Sequence, residues 1–201
     1  EPKQGYIVTA NNKVIDDSYP HYIALEFAPG FRANRIQERL MALEKATVSD
    51  MADIHNERVS IPGSSFAQLA ASITTSDKLG ERAKNILMNW DGLVSKESVA
   101  ATIYNSFRDN LVKLVLTPYL GSLSEEAFGS LGRGGPAHIG RLKSKFHTMI
   151  EADDRRLLPE GSDWVSQMNI AFSDTVESLT ERLGSDITNW EWANVHQTRP
   201  V

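Results

Sequence analysis

The feature that most constrains this chain is an apolar stripe in the stretch from residue 96 to residue 116. Its members are spaced by three or four positions, which places them on one face of an α-helix. They are Val99, Ile103, Phe107, Leu111 and Leu114. A helix with one continuous apolar face must bury that face against other elements. We therefore predict a helical body around a helix from about Lys96 to Leu116, ended by Pro118.

Shorter helices with the same periodicity are predicted on both sides of the central one. Two of them begin at polar N-cap residues, Thr47 with Asp50 three positions later, and Asp77. The predicted helices cover about residues 32–43, 47–58, 62–74, 77–90, 138–157 and 163–183.

Short β segments are predicted near both ends of the chain. Residues 5–10 carry β-forming side chains, residues 22–25 could form a second strand, and residues 190–196 alternate like an edge strand. The glycine-rich stretch 129–136 predicts a flexible loop. The expected fold class is therefore α+β: one mainly α domain over residues 1–201, with short strands near both ends.

Composition argues against several classes of function. The net charge of -5 and the sequence pI near 5.6 argue against a nucleic-acid partner, which would select a basic surface. No apolar run approaches the ~18 residues of a membrane span. The chain has no Cys, which excludes disulfides and thiolate nucleophiles. Its five His residues show no i, i+4 pair, which argues against a His-based metal centre.

The local sequence contains one possible catalytic amide, at the end of the first predicted strand. Side-chain amides in such places build oxyanion holes in many hydrolases, and Asn11 is followed by a second amide, Asn12. An Asn pair after a strand is also typical of a turn, because Asn tolerates left-handed backbone. Arg32 begins a helix, where a cation opposes the helix dipole. It therefore either has a non-local partner, such as a carboxylate or a substrate, or lies in solvent.

Five landmarks, in order along the chain, resemble the β chain of penicillin acylases (penicillin amidases). They are Gly5-Tyr6-Ile7 through Asn11-Asn12, Phe27 through Ile36, Thr47 through Ser60, Leu87 through Gly92, and Trp190 through His196. The resemblance covers essentially the whole chain. It implies that the chain is the helical portion of an N-terminal-nucleophile (αββα) hydrolase, internal to the β chain.

The resemblance implies cleavage of a linear amide bond in an acylated β-lactam, an acyl-homoserine lactone or a similar acylated amine. The family nucleophile is a Ser at the start of the β chain, with its own α-amino group as the base. Glu1 is not such a nucleophile, so we expect this chain alone to be inactive. Its expected partners are the remainder of the acylase (the α chain and the N-terminal part of the β chain), a small acyl-amide substrate and, for the isolated chain, a second copy. A periplasmic or secreted location is expected if the protein is like the family.

The same resemblance assigns roles to individual residues. Asn11 matches the amide donor of the oxyanion hole, and Arg32 matches the Arg that orients this Asn and the substrate end of the site. Glu26 would be an acidic ligand of a structural calcium ion, and no cofactor is expected for catalysis. Ala10 lies beside the substrate, at a position where many members carry a bulky aromatic residue.

The sequence also departs from the family pattern in the landmark from Thr47 to Ser60. His55 and Glu57 stand where the family usually has Gln and Asp. A competing hypothesis is a non-catalytic helical interaction or scaffold module, in which local turn hydrogen bonds satisfy Asn11.

Overall fold

The computed structural model describes residues 2–129 and 137–197, with side chains from 2–129 and 142–197. The chain divides into two compact units, Glu1–Ile61 and Pro62–Val201. The assignment of the whole chain to one domain stays a prediction. Among the helices of the described residues, none is both long and apolar enough to cross a membrane.

The described residues are mainly helical, as predicted. The α-helices are α1 (Phe31–Met41), α2 (Val48–His55), α3 (Ile61–Leu69), α4 (Lys78–Met88), α5 (Val99–Leu120), α6 (Ser124–Phe128), α7 (Ala137–Glu151), α8 (Trp164–Leu183) and α9 (Trp192–Val195). Short 3₁₀ turns occur at Ala70–Ser72, Gly121–Leu123 and Ile187–Asn189.

The two polar caps that the sequence predicts, at Thr47 and Asp77, are both present. The hydroxyl of Thr47 accepts a hydrogen bond from the Asp50 amide at 3.2 Å, and the Asp50 carboxylate accepts one from the Thr47 amide at 2.8 Å. Asp77 accepts from the Gly80 amide at 2.8 Å. These bonds satisfy amides that the first turn of a helix leaves without partners.

The core of the second unit is built around α5. Ile103, Phe107 and Leu111 of the predicted stripe are fully buried, and Val99 and Leu114 are half-buried against the same core. The Phe107 ring makes edge-on contacts with Phe66 of α3 and Phe172 of α8, at centroid distances of 5.4 and 5.3 Å. Each such buried side chain contributes about 1.5–3 kcal/mol relative to its exposed state.

The central helix is longer than predicted at its C-terminal end. Pro118 lies inside α5, which continues to Leu120 and ends at Gly121, where φ is 53°. Proline removes one backbone donor, but near the end of a helix few later hydrogen bonds depend on it. The Thr117 hydroxyl also bonds the carbonyl of Lys113 at 2.6 Å. The prediction that Pro118 ends the helix was therefore wrong.

The predicted β strands are absent from the described residues near both ends of the chain. Residues 5–10 and 22–25 form no strand, and the sole β pairing there is one parallel bridge between Asn12 and Ala28. A strand needs neighbouring strands to pair with, and neither of these segments has one in the described chain. The α+β expectation thus reduces, in the described residues, to a mainly α fold.

The predicted edge strand near the C-terminal end is instead the short helix α9. The alternating aromatic residues there, Trp190 and Trp192, pack against the core of the second unit and do not lie on a paired strand. Trp190 is fully buried in the second unit, and its indole donates a hydrogen bond to the Gly184 carbonyl at 2.9 Å. Gly129 ends α6 in a left-handed conformation. The rest of the predicted loop at 129–136 lies outside the described residues.

Apolar burial in the first unit is sparse. Its buried hydrophobic residues are Ala10, Ala33 and Ile54. Side-chain hydrogen bonds and ion pairs therefore have a larger part in positioning its elements than they have in the second unit.

Candidate functional site

The first unit brings together two residues that the sequence analysis assigns to a catalytic site. One guanidinium nitrogen of Arg32, Nη2, donates to Asn11 Oδ1 at 2.7 Å and to the Ala10 carbonyl at 2.8 Å. Hydrogen bonds from a charged donor are stronger than neutral ones. Arg32 thus has a non-local partner, 21 residues away along the chain, but this partner is an amide oxygen and a backbone carbonyl rather than the carboxylate or substrate that the sequence suggested.

The backbone beneath Asn11 is fixed on both sides. Asn11 has φ 61°, the left-handed conformation that Asn tolerates better than most residues. Its carbonyl accepts from the Ala28 amide at 2.7 Å, and the amide of Ala10 donates to the Asn12 side chain at 3.0 Å. The chain thus bends at Ala10 and Asn11, with the left-handed backbone that Asn tolerates, and the Asn11 side chain contacts Arg32.

The contact with Arg32 determines which way the Asn11 amide faces. A guanidinium group can only donate hydrogen bonds, so the atom facing it must be the amide oxygen. The Nδ2 group of Asn11 is therefore turned toward other partners. In the part of the chain that the structure describes, this group donates no hydrogen bond, and the residue is exposed. The arrangement leaves an oriented N–H donor available to an oxygen atom of a ligand.

The charge of Arg32 has no counter-ion among the described residues. Arg32 lies in the first turn of α1, which contains no acidic residue, and Gly30 at its N-cap offers no side-chain cap. The partners of the guanidinium are two neutral oxygens rather than a carboxylate. Its positive charge therefore polarises the Asn11 amide, which makes Nδ2 a better donor to an anion.

Ala10 and Glu26 are the remaining residues assigned from the sequence. Ala10 is buried, and its carbonyl is one of the two acceptors that hold Arg32. A contact of Ala10 with substrate stays a prediction. Glu26 is exposed, and no three His, Asp or Glu side chains of the described residues form a group that could hold a metal ion. Because calcium takes six to eight oxygen ligands, these residues do not form a calcium site by themselves. The role of Glu26 also stays a prediction.

A carboxylate with two arginine partners lies in the same unit, and the sequence reasoning missed it. Glu57 Oε2 accepts from Arg35 Nε at 2.9 Å and from Arg39 Nη1 at 2.8 Å. Glu57 Oε1 accepts from the backbone amides of Arg58 and Val59 at 3.0 and 3.1 Å. The i, i+4 spacing of the two arginines was the signal that could have indicated a shared anion.

The pKa of Glu57 follows from these contacts. Partial burial alone would raise the pKa of this carboxyl group. The hydrogen bonds from Arg39, the Val59 amide, Arg35 and the Arg58 amide outweigh burial and lower the pKa to about 2. Glu57 is therefore ionised at neutral pH.

Comparison with known proteins gives a consistent family. A sequence profile described as Penicillin amidase matches residues 1–201. The chain is 32% identical over 203 residues to a penicillin acylase 2 proenzyme of Pseudomonas sp. (strain SE83), covering 99% of this chain and 25% of that protein.

Acyl-homoserine lactone acylases named QuiP are also similar. The one of Pseudomonas fluorescens (strain Pf0-1) is 24% identical over 220 residues, covering 98% of this chain and 26% of that protein. The one of Pseudomonas aeruginosa is 23% identical over 218 residues, covering 98% and 25%. The chain thus spans about a quarter of the length of the curated relatives it matches.

Proposed function

This chain belongs to the penicillin amidase family, and from that premise we propose that it contributes an oxyanion-hole donor to an enzyme that cleaves linear amides. The donor is Nδ2 of Asn11, and Arg32 orients it. The observation that supports the proposal is the contact from Arg32 to Asn11 Oδ1 at 2.7 Å, which turns the N–H₂ group of Asn11 away from Arg32; among the described residues that group donates no hydrogen bond.

The chemistry needs such a donor at one step. When a nucleophile adds to an amide carbonyl, the carbonyl oxygen becomes an oxyanion, and a donor about 2.7–3.1 Å away stabilises it. Asn11 Nδ2 supplies this hydrogen bond. Arg32 supplies no hydrogen bond to the substrate in this scheme. It fixes the orientation of the amide and adds a positive charge behind it.

The remaining groups come from protein sequence beyond these 201 residues in this proposal. An N-terminal Ser adds its oxygen to the carbonyl carbon, and its α-amino group accepts the hydroxyl proton. The carbon–nitrogen bond then breaks as that proton passes to the departing amine. Water hydrolyses the acyl-enzyme that remains and restores the Ser hydroxyl. The chain alone is therefore expected to have no acylase activity.

The substrate class is an acylated amine. The named relatives are a penicillin acylase and acyl-homoserine lactone acylases. The proposal includes both an acylated β-lactam and an acyl-homoserine lactone. A periplasmic or secreted location is carried over from the family resemblance.

The test is the substitution Asn11→Ala in the complete protein, with Asn34→Ala as the matched control. Asn34 is another exposed Asn of the first unit, in the first turn of α1. Loss of one oxyanion donor typically lowers kcat by about 10²–10³, so we expect a decrease of that size for Asn11→Ala and less than about threefold for Asn34→Ala. An unchanged kcat for Asn11→Ala would refute the proposed role and favour the non-catalytic module.

A further inference from the structure

We propose that Glu57 is a positioning residue, which holds α1 so that Arg32 reaches Asn11. This inference rests on the proposed function of the Asn11–Arg32 pair. The inference adds to the proposed function by naming Glu57 as the anion on which the geometry of the Asn11–Arg32 pair depends.

Three arginines share one face of α1. At about 100° per residue, Arg32, Arg35 and Arg39 lie within about 60° of one another around the helix axis. Like charges so placed repel each other and destabilise the helix. Glu57 forms ion pairs with two of them, Arg35 and Arg39, at N···O distances of 2.9 and 2.8 Å, and so reduces this repulsion. The third, Arg32, extends to Asn11 and Ala10 instead.

Glu57 is itself held firmly. Both of its oxygens accept two hydrogen bonds, one oxygen from the two guanidinium groups and the other from the amides of Arg58 and Val59. Its side chain is only 16% exposed. The carboxylate therefore connects α1 to the backbone that follows α2, across sequence separations of 22 and 18 residues.

Two anchors one turn apart restrain the rotation of α1 about its own axis. A side chain on a helix lies about 5–6 Å from the axis, so a rotation of about 20° would move it by about 2 Å. A displacement of that size would break hydrogen bonds of 2.7 and 2.8 Å, such as those of Arg32. The cluster of Glu57, Arg35 and Arg39 thus determines whether the Asn11 amide is held.

Glu38 provides a matched control in the same cluster. It accepts a hydrogen bond from Arg35 at 2.9 Å, at i, i+3 on the same helix, and its side chain is 64% exposed. Because both partners lie on α1, this ion pair does not connect the helix to another segment. Replacing Glu38 by Gln changes the charge by the same amount as replacing Glu57 by Gln. It leaves intact the connection between α1 and the segment that follows α2.

The experiment compares Glu57→Gln, Glu57→Asp and Glu38→Gln in the complete protein, with kcat expressed per folded active site. Glu57→Gln should lower kcat about tenfold at nearly constant KM. This is less than the 10²–10³ decrease in kcat expected when the donor itself is removed, because the donor is misplaced rather than lost. Glu57→Asp keeps the charge and should recover most of this loss. Glu38→Gln should change kcat less than about twofold.

The decisive readout is the same Glu57→Gln substitution in an Asn11→Ala background. If Glu57 acts through Asn11, its substitution there should lower kcat no further, because the donor that it positions is gone. A merely structural role would lower kcat by the same factor in both backgrounds, and that result would overturn the inference. If Glu57→Gln yields no folded protein, Arg39→Gln replaces it. That variant loses one of the two connections and should lower kcat about threefold, again only when Asn11 is present.

The outcomes for the two proposals are separable. If Asn11→Ala leaves kcat unchanged, the proposed function fails and the inference falls with it. If Asn11→Ala lowers kcat but Glu57→Gln does not, the oxyanion donor stands and the positioning role of Glu57 is refuted.

Discussion

The substitution Arg32→Met in the complete protein isolates the contribution of orientation to the proposed oxyanion donor. Methionine is an unbranched chain without a charge or donor, so the variant loses both hydrogen bonds of the Arg32 guanidinium, to Asn11 Oδ1 and to the Ala10 carbonyl. Asn11 Oδ1 can be hydrated once the guanidinium is gone, since Asn11 is exposed. Ala10 is buried, and the loss of one donor to its carbonyl costs about 1–3 kcal/mol, which is less than the stability of a typical domain. We therefore expect the protein to remain folded and the effect to fall on catalysis.

The magnitude follows from two losses at Asn11. Without Arg32 the amide can flip, and if the two orientations become equally populated this costs about twofold. The larger loss is the charge behind the amide: a hydrogen bond to a charged group is worth about 1.5–3 kcal/mol. At about 1.4 kcal/mol per factor of ten, and with the twofold loss from flipping included, we expect kcat to fall by roughly 20- to 300-fold.

The assay is steady-state hydrolysis of an acylated amine, with kcat and KM determined separately. Arg32→Lys is the companion variant, because it retains the charge but replaces the fixed plane of the guanidinium, whose Nη2 contacts both oxygens, with an ammonium group on a flexible chain. Its kcat should lie between those of Arg32→Met and the unaltered protein. A kcat for Arg32→Met within twofold of the unaltered value would show that Arg32 does not act on the reaction through Asn11.

Three further predictions concern stability and association. The pKa of Glu57 is lowered in the fold from 4.5 to about 2. Glu57 therefore contributes stability that is present above about pH 4.5 and is lost as the pH falls toward 2. We expect the difference in urea midpoint between the unaltered chain and Glu57→Gln to become smaller between pH 6 and pH 3. Phe107→Ala removes a fully buried ring and should lower the free energy of unfolding by about 3–5 kcal/mol, whereas Tyr119→Ala, at an exposed ring, should lower it by less than about 1 kcal/mol. The exposed side chains of Tyr22 and Leu25 should cause the isolated chain to self-associate in sedimentation velocity as its concentration rises.

Each of these predictions has an outcome that contradicts it. A difference in urea midpoint that does not change with pH would mean that Glu57 is not held as an anion by Arg35 and Arg39. Equal losses of stability for Phe107→Ala and Tyr119→Ala would argue against the described core. A strictly monomeric chain at high concentration would count against the expected association.

The helical part of the fold could be predicted because its determinants are local. The stripe of α5 repeats every three to four residues, and Thr47 and Asp77 cap the amides of their own first turns. Such signals lie within a few positions of the element they specify. A strand depends on a second strand to pair with, and residues 5–10 have no such partner among the described residues. The bridge between Asn12 and Ala28 lies beyond the end of that segment.

The candidate site was only partly predictable for the same reason. The sequence resemblance assigned to Arg32 the role of orienting Asn11. The atoms in contact, and hence the orientation of the amide, follow only from the fold, since the two residues are 21 positions apart. Glu57 was noted as a departure from the family pattern, and its partners are 22 and 18 residues away. A single sequence contains no local signal for which anion two arginines share.

The most direct test of the central claim is a crystal structure of the complete protein with its nucleophile trapped as a tetrahedral adduct, for example by a sulfonyl fluoride. The account predicts that Asn11 Nδ2 lies about 2.7–3.1 Å from the oxygen of the adduct that represents the oxyanion. It also predicts that Asn11 Oδ1 remains bound to Arg32. An adduct oxygen held by other donors, with Asn11 Nδ2 beyond hydrogen-bonding distance, would contradict the account.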